Sequence, residues 1–154
     1  MANTMDYLGN FPFKAGEPKK PIIMNKSNLF YYLYTPELPH QSDLNWMYCS
    51  TDELNVGVYQ LAPGSHFVPV DVHAGDEFYY ILKGTVTVLN PDIGQVVEAK
   101  QGEAALLPKG CAHKAYNFTN EEAVILCVIV PSIWDENGPP DGYYKKMKLL
   151  KSDK

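Results

Sequence analysis

Four side chains of this sequence, Asp71, His73, Glu77 and His113, have the chemistry and spacing to hold a divalent cation. Such ions take imidazole nitrogens and carboxylate oxygens that converge from separate segments, because a single strand presents same-face residues only about every 6.6 Å. Asp71 and His73 are two apart and share a face. Ala74-Gly75-Asp76 then forms a turn that can reverse the chain, so that Glu77 opens the next strand opposite them. Without that reversal, extended backbone would leave Asp71 and Glu77 about 20 Å apart, too far to share an ion. His113 must arrive from a distant strand, after a turn at Pro108 and Gly110. His73, Glu77 and His113 make a two-histidine, one-carboxylate set that leaves positions open for substrate or oxygen, the arrangement associated with ferrous oxygenases. Asp71 has two readings. As a fourth ligand it favours Fe²⁺, Mn²⁺ or Zn²⁺; as a free carboxylate beside the ion it is a candidate general base.

Tyr79 has the parity of Glu77 and should point inward, where its hydroxyl either orients substrate and donates a proton or simply completes a core aromatic. Tyr48 and Tyr59 are further candidates for substrate contact. Eleven tyrosines and two tryptophans suit a pocket for an apolar, aromatic or ketone-bearing molecule, although aromatic residues also fill barrels for packing alone. His66 has the opposite parity and is read as a surface or interface residue, and His40 as solvated. Cys49, Cys111 and Cys127 are odd in number and widely spaced, which fits reduced thiols acting as small buried hydrophobes. Cys111, near the mouth of the site, is read as loop packing or a redox-sensitive thiol.

The elements that must position these residues are short apolar runs between Gly, Pro, Asn and Asp, which read as an all-β jelly roll. The runs are 54–61, 66–73, 77–83, 85–89, 95–100, 104–108, 113–117 and 123–130. Residues 46–131 form the barrel in this reading. Residues 1–45, interrupted by Pro12, Pro18, Pro21, Pro36 and Pro39, form an arm with one strand near 29–33, expected to pair with a second subunit. Residues 132–154 form a C-terminal extension in which 143–150 is expected to be a short basic helix.

A chain of 154 residues with 45% apolar and 20% charged side chains suits one ordinary domain. Its net charge of -5 supplies no cationic field for nucleic acid. All thirteen basic residues are lysines, so a substrate that needs a planar arginine clamp is disfavoured. The start lacks a basic and apolar leader, and no apolar run approaches membrane-spanning length, which gives the expectation of a cytoplasmic protein without a membrane partner.

Two stretches carry a family resemblance. Gly64, Asp71-x-His73, Glu77 and Gly84 resemble the first motif of the cupin superfamily, with one extra residue after the first glycine and Asp71 where a histidine normally stands. Gly102, Pro108-x-Gly110, His113 and Asn117 resemble the second motif without departure. The resemblance covers about residues 46–131 and implies a double-stranded β-helix with a metal at its mouth, usually as a homodimer. Residues 62–75 and 133–138 are in addition similar to small cupins that include an acetylacetone-cleaving dioxygenase and the cupin of a zinc-binding anti-sigma factor. That likeness implies carbon–carbon cleavage by non-haem iron at a three-histidine centre, from which Asp71 departs. The expectation is one divalent ion per chain, iron or zinc before manganese or nickel, in an oxygen-dependent enzyme acting on a small ketone or enol. The alternatives are an oxygen-independent lyase, isomerase or cyclase, and a non-catalytic cupin that binds a metal or metabolite.

Overall fold

Alternation of inward and outward side chains, the mark of a strand with one buried face, is clearest over Asp76–Lys83, where Glu77, Tyr79 and Ile81 are buried and Asp76, Phe78, Tyr80 and Leu82 are exposed. The same period in Ala123–Val130 buries Ala123, Ile125, Cys127 and Ile129. A computed structural model describes residues 11–13, 16, 20–25, 28–33, 44–51, 53–66, 70–131, 133, 136 and 148–150. Every regular element among them is a strand: β1 Phe30–Leu33, β2 Leu44–Ser50, β3 Asn55–Leu61, β4 Asp76–Lys83, β5 Thr85–Asn90, β6 Gln95–Lys100, β7 Ala104–Leu107, β8 Lys114–Tyr116, β9 Ala123–Val130 and β10 Lys148–Leu150. No helix among the described residues is long and apolar enough to cross a membrane.

The strands make two antiparallel sheets, one in the order β10-β1-β2-β3-β9-β4-β7 and one in the order β6-β5-β8. Leu61, Tyr79, Ile81, Ile125, Cys127 and Ile129 of the larger sheet share a core with Val86, Val88, Ala99 and Ala115 of the smaller. This is the expected all-β double-stranded β-helix. Gly84 lets the chain pass from β4 to β5. Its φ is +76°, and a Cβ there would lie 2.6 Å from the Glu122 carbonyl oxygen. Asn117, fully buried, clips the barrel end: its amide donates to the carbonyls of Leu61, Ala62 and Glu121, and its Oδ1 accepts from the Thr119 backbone N–H and hydroxyl.

Four elements differ from the expectation, the first being β2 Leu44–Ser50, which lies outside the expected runs. Lys148–Leu150 is strand β10, antiparallel to β1, where a helix was expected; residues 143–147 lie outside the described set. The physical reason is tertiary: the free edge of β1 offers unpaired N–H and C=O groups, and pairing with them outweighs a weak local helix preference. β1 therefore has partners on both sides within its own chain, β2 and β10. The run 66–73 is not a continuous strand but is anchored by two isolated bridges, His66 to Tyr116 and Asp71 to His113, with 67–69 outside the described residues. Pro69 has no N–H to offer a ladder.

Candidate metal centre

Asp71 and His113 are backbone partners. The Asp71 N–H donates to the His113 carbonyl at 2.9 Å and the His113 N–H returns the bond to the Asp71 carbonyl at 3.0 Å, which sets the two side chains on one face. The turn carrying His73 is tied to the loop carrying His113, because the Gly110 N–H donates to the His73 carbonyl and the Lys109 N–H donates to Asp76 Oδ1. Glu77 follows as an inward residue of β4, only 2% exposed. The turn at 74–76 thus brings Glu77 back onto the segment that precedes it. One donor atom from each of Asp71, His73 and His113 lies within 4.8 Å of the others. Glu77 Oε2 lies 3.1 Å from His73 Nε2 and 2.6 Å from His113 Nε2.

The remaining atoms of these ligand candidates are occupied in a useful way. His113 Nδ1 is 2.9 Å from the Cys111 carbonyl, so Nδ1 carries the proton and the neutral ring turns its Nε2 lone pair inward. Glu77 Oε1 accepts a hydrogen bond from the Cys127 thiol at 2.7 Å. The other two atoms, Glu77 Oε2 and His113 Nε2, are buried and face each other at 2.6 Å. Two lone-pair atoms facing each other away from water repel unless a positive charge sits between them. A divalent cation meets that need, and two imidazoles with one or two carboxylates are a suitable donor set for iron, zinc or manganese. In the metal-free protein a proton does the same work. Burial opposes the charge of Glu77, yet the hydrogen-bonding and charge of His113 and His73 hold its carboxyl down at about 2. Burial likewise presses the His113 pKa down, and Glu77, the Cys111 carbonyl and the Asp71 charge together raise it above its ordinary value. Asp71 is pushed up to about 6, chiefly by burial, with His73 pulling the other way.

Tyr79 is buried, edge-on to the His113 ring at 6.2 Å between centroids, and burial followed by the Glu77 charge keeps its hydroxyl protonated. Tyr59 packs against the core. Tyr48 lies at the irregularity between Met47 and Cys49 where β2 shifts register against β3, and is half-buried. A cleft of about 310 Å³ reaches His113 between β5, β6 and β7, and none of these three tyrosines lines it. Val88, Val97, Ala105 and Leu107 supply apolar wall, and Asn90, Gln95 and Glu98 supply polar groups. His66 lies against Tyr116, 5.3 Å between ring centroids, and His40 is outside the described residues.

Cys127 is the residue that sequence reasoning missed. Its parity with Ile125 and Ile129 marks it as inward, and a buried cysteine normally reads as a small hydrophobe. Burial, then the charge and hydrogen bond of Glu77, raise its thiol well above the ordinary range, with a hydrogen bond from Tyr59 acting in the opposite sense. At Cys111 the backbone carbonyl is what holds the ligand ring, and no sequence signal distinguishes that role from loop packing.

Comparison with known proteins bears on the whole barrel. Residues 57–129 match the family profile of the cupin domain. Among solved structures, the chain is similar to a predicted oxalate decarboxylase of Thermotoga maritima (TM-score 0.58, 20% identity, covering 71% of this chain and 99% of that one). It is similar also to a protein of Thermus thermophilus (TM-score 0.53, 29% identity, 64% and 89%). A cupin superfamily protein of Desulfitobacterium hafniense is a further relative in fold (TM-score 0.52, 17% identity, 58% and 78%). No curated protein sequence matches.

Proposed function

We propose, from the premise that the chain belongs to the cupin superfamily, that it is a metal-dependent enzyme acting on a small, non-anionic organic molecule. Its favoured chemistry is oxygen-dependent oxidation or cleavage of a ketone or enol. The observation that carries this reading is the meeting of one Glu77 oxygen with the Nε2 atoms of His73 and His113, a two-histidine, one-carboxylate set in a buried pocket. An ion held by these residues supplies Lewis acidity that eases loss of a proton next to a carbonyl and, if redox-active, electrons for dioxygen. The chain's own contribution is positional and acid–base. Glu77 and His113 are kept in place by Cys127 and the Cys111 carbonyl, and Tyr79 stays protonated at the back of the site. The cleft beside His113 admits a ligand with an apolar body. Its lining has no lysine and includes Glu98, so an anion would find its counter-charge only at the His113 end, and the likeness to a predicted oxalate decarboxylase carries the fold alone.

A second reading rests on Asp71. Its donor atom lies within 4.8 Å of those of His73 and His113, and as a base beside the ion it supports an oxygen-independent lyase or isomerase acting through an enolate. Elemental analysis of the purified protein, then oxygen uptake with β-diketones and hydroxyketones after anaerobic loading with ferrous iron, tests both. Oxygen consumed in step with substrate supports the first reading, and turnover in its absence the second. Zinc at full occupancy with no turnover of either kind would replace both with a non-catalytic metal site.

A further inference from the structure

We infer that Cys127 is a positioning residue of the metal centre: its thiol engages Glu77 Oε1 so that Oε2 alone faces the ion. The inference rests on the metal-binding reading above and goes beyond it to the residue that decides how Glu77 binds. Cys127 lies opposite Tyr79 across the β4–β9 ladder, and Glu77 lies opposite Ile129, so cysteine and glutamate are diagonal neighbours on the inner face. Gly57 faces Cys127 from β3 on the other side, so the thiol is flanked by backbone, by Tyr79 and by the Tyr59 hydroxyl that hydrogen-bonds to it. The sulfur is fully buried and 2.7 Å from Oε1, a donor–acceptor contact rather than apolar packing. Oε2, by contrast, is the oxygen that meets both imidazoles, 3.1 Å from His73 Nε2 and 2.6 Å from His113 Nε2. One carboxylate thus has two unlike oxygens, one held by the protein and one offered to the ion. A second donor on a ligand fixes its orientation, and loss of such a donor typically weakens metal binding by about 10–100-fold.

The test uses the full chain, stripped of metal by chelator and titrated anaerobically with Co²⁺ against a chromogenic competitor, with the visible ligand-field bands recorded. Cys127→Ser keeps a donor of similar size and should stay within about three-fold of the unsubstituted protein, with unchanged bands. Cys127→Ala and Cys127→Val lack the donor and should lose about 10–100-fold in affinity and shift the bands as Oε1 turns onto the ion. Valine fills the space that alanine leaves, so a folding defect from the void does not remove the test. Alanine and valine variants that bind Co²⁺ like the unsubstituted protein, or a serine variant as weak as alanine, would overturn the inference while the metal site stands. An unsubstituted protein that takes up no Co²⁺ would overturn the metal reading and this inference with it.

Discussion

Of the proposed metal ligands, Glu77 and His113 are more deeply enclosed than Asp71. Glu77 sits in the continuous ladder of β4 with a thiol on its second oxygen, and His113, at the head of β8, has its Nδ1 on a backbone carbonyl. Each is about 2% exposed. Asp71 shares an isolated bridge with His113 but is only half-buried. The site therefore has a buried floor and a more open rim. Binding strength should come from the floor, and proton chemistry from the rim, where the Asp71 carboxyl is less enclosed.

The largest effect should come from removing a floor ligand. His113→Ala is expected to abolish stoichiometric metal binding while the far-ultraviolet signal of a folded β-protein persists; metal content equal to that of the unsubstituted protein would remove the basis for the site. Asp71→Asn should separate rim from floor, lowering metal affinity by no more than about ten-fold but turnover by about 100-fold or more. Equal loss of both, as severe as in His113→Ala, would make Asp71 a floor ligand after all.

Acid titration of the metal-free protein distinguishes the same groups by sign. Glu77 has a folded pKa below its unfolded value, so its contribution to stability is present above the ordinary carboxylate range and is lost as pH falls toward about 2. Asp71 has a raised folded pKa, so its contribution is present below the ordinary range and is lost as pH rises through about 6. His113, also raised, loses its contribution at higher pH in the same sense. Urea midpoints measured from about pH 2 to 8 should therefore rise and then fall, and Asp71→Asn should flatten the part of the fall centred between about pH 4 and pH 6. A fall that is unaltered in that variant would assign it to other groups. The smallest effect on the site is expected from Gly84→Ala, which adds a Cβ against Glu122 and strains a positive φ. It should cost about 1 kcal/mol or more in urea stability and leave Co²⁺ affinity of the folded protein unchanged.

Much of this is legible in the sequence alone. The two-residue period of β4 and β9, the turn that returns Glu77, and the glycines and proline leading to His113 are local features, and local backbone preference with one-sided burial is enough to define them. The end of the chain was not, because the strand state of Lys148–Leu150 depends on the edge of β1, over a hundred residues earlier in sequence. Asn117 shows a mixed case. Its place in the second motif was readable, but its work as a buried clip between Leu61, Ala62 and Glu121 was not.

The order of amino acids was enough to name candidate cation ligands, to give the inward facing of Glu77 and Tyr79 along β4, and to show that no arginine is present to grip an anion. Partnership was left to the folded chain. The register between β4 and β9 brings the Cys127 thiol to one Glu77 oxygen, and the loop before β8 gives the Cys111 carbonyl to His113. Strand parity carries an inside and an outside but no information about which distant residue lies alongside, since a ladder shifted by two residues keeps every side chain on its face and changes all of its neighbours.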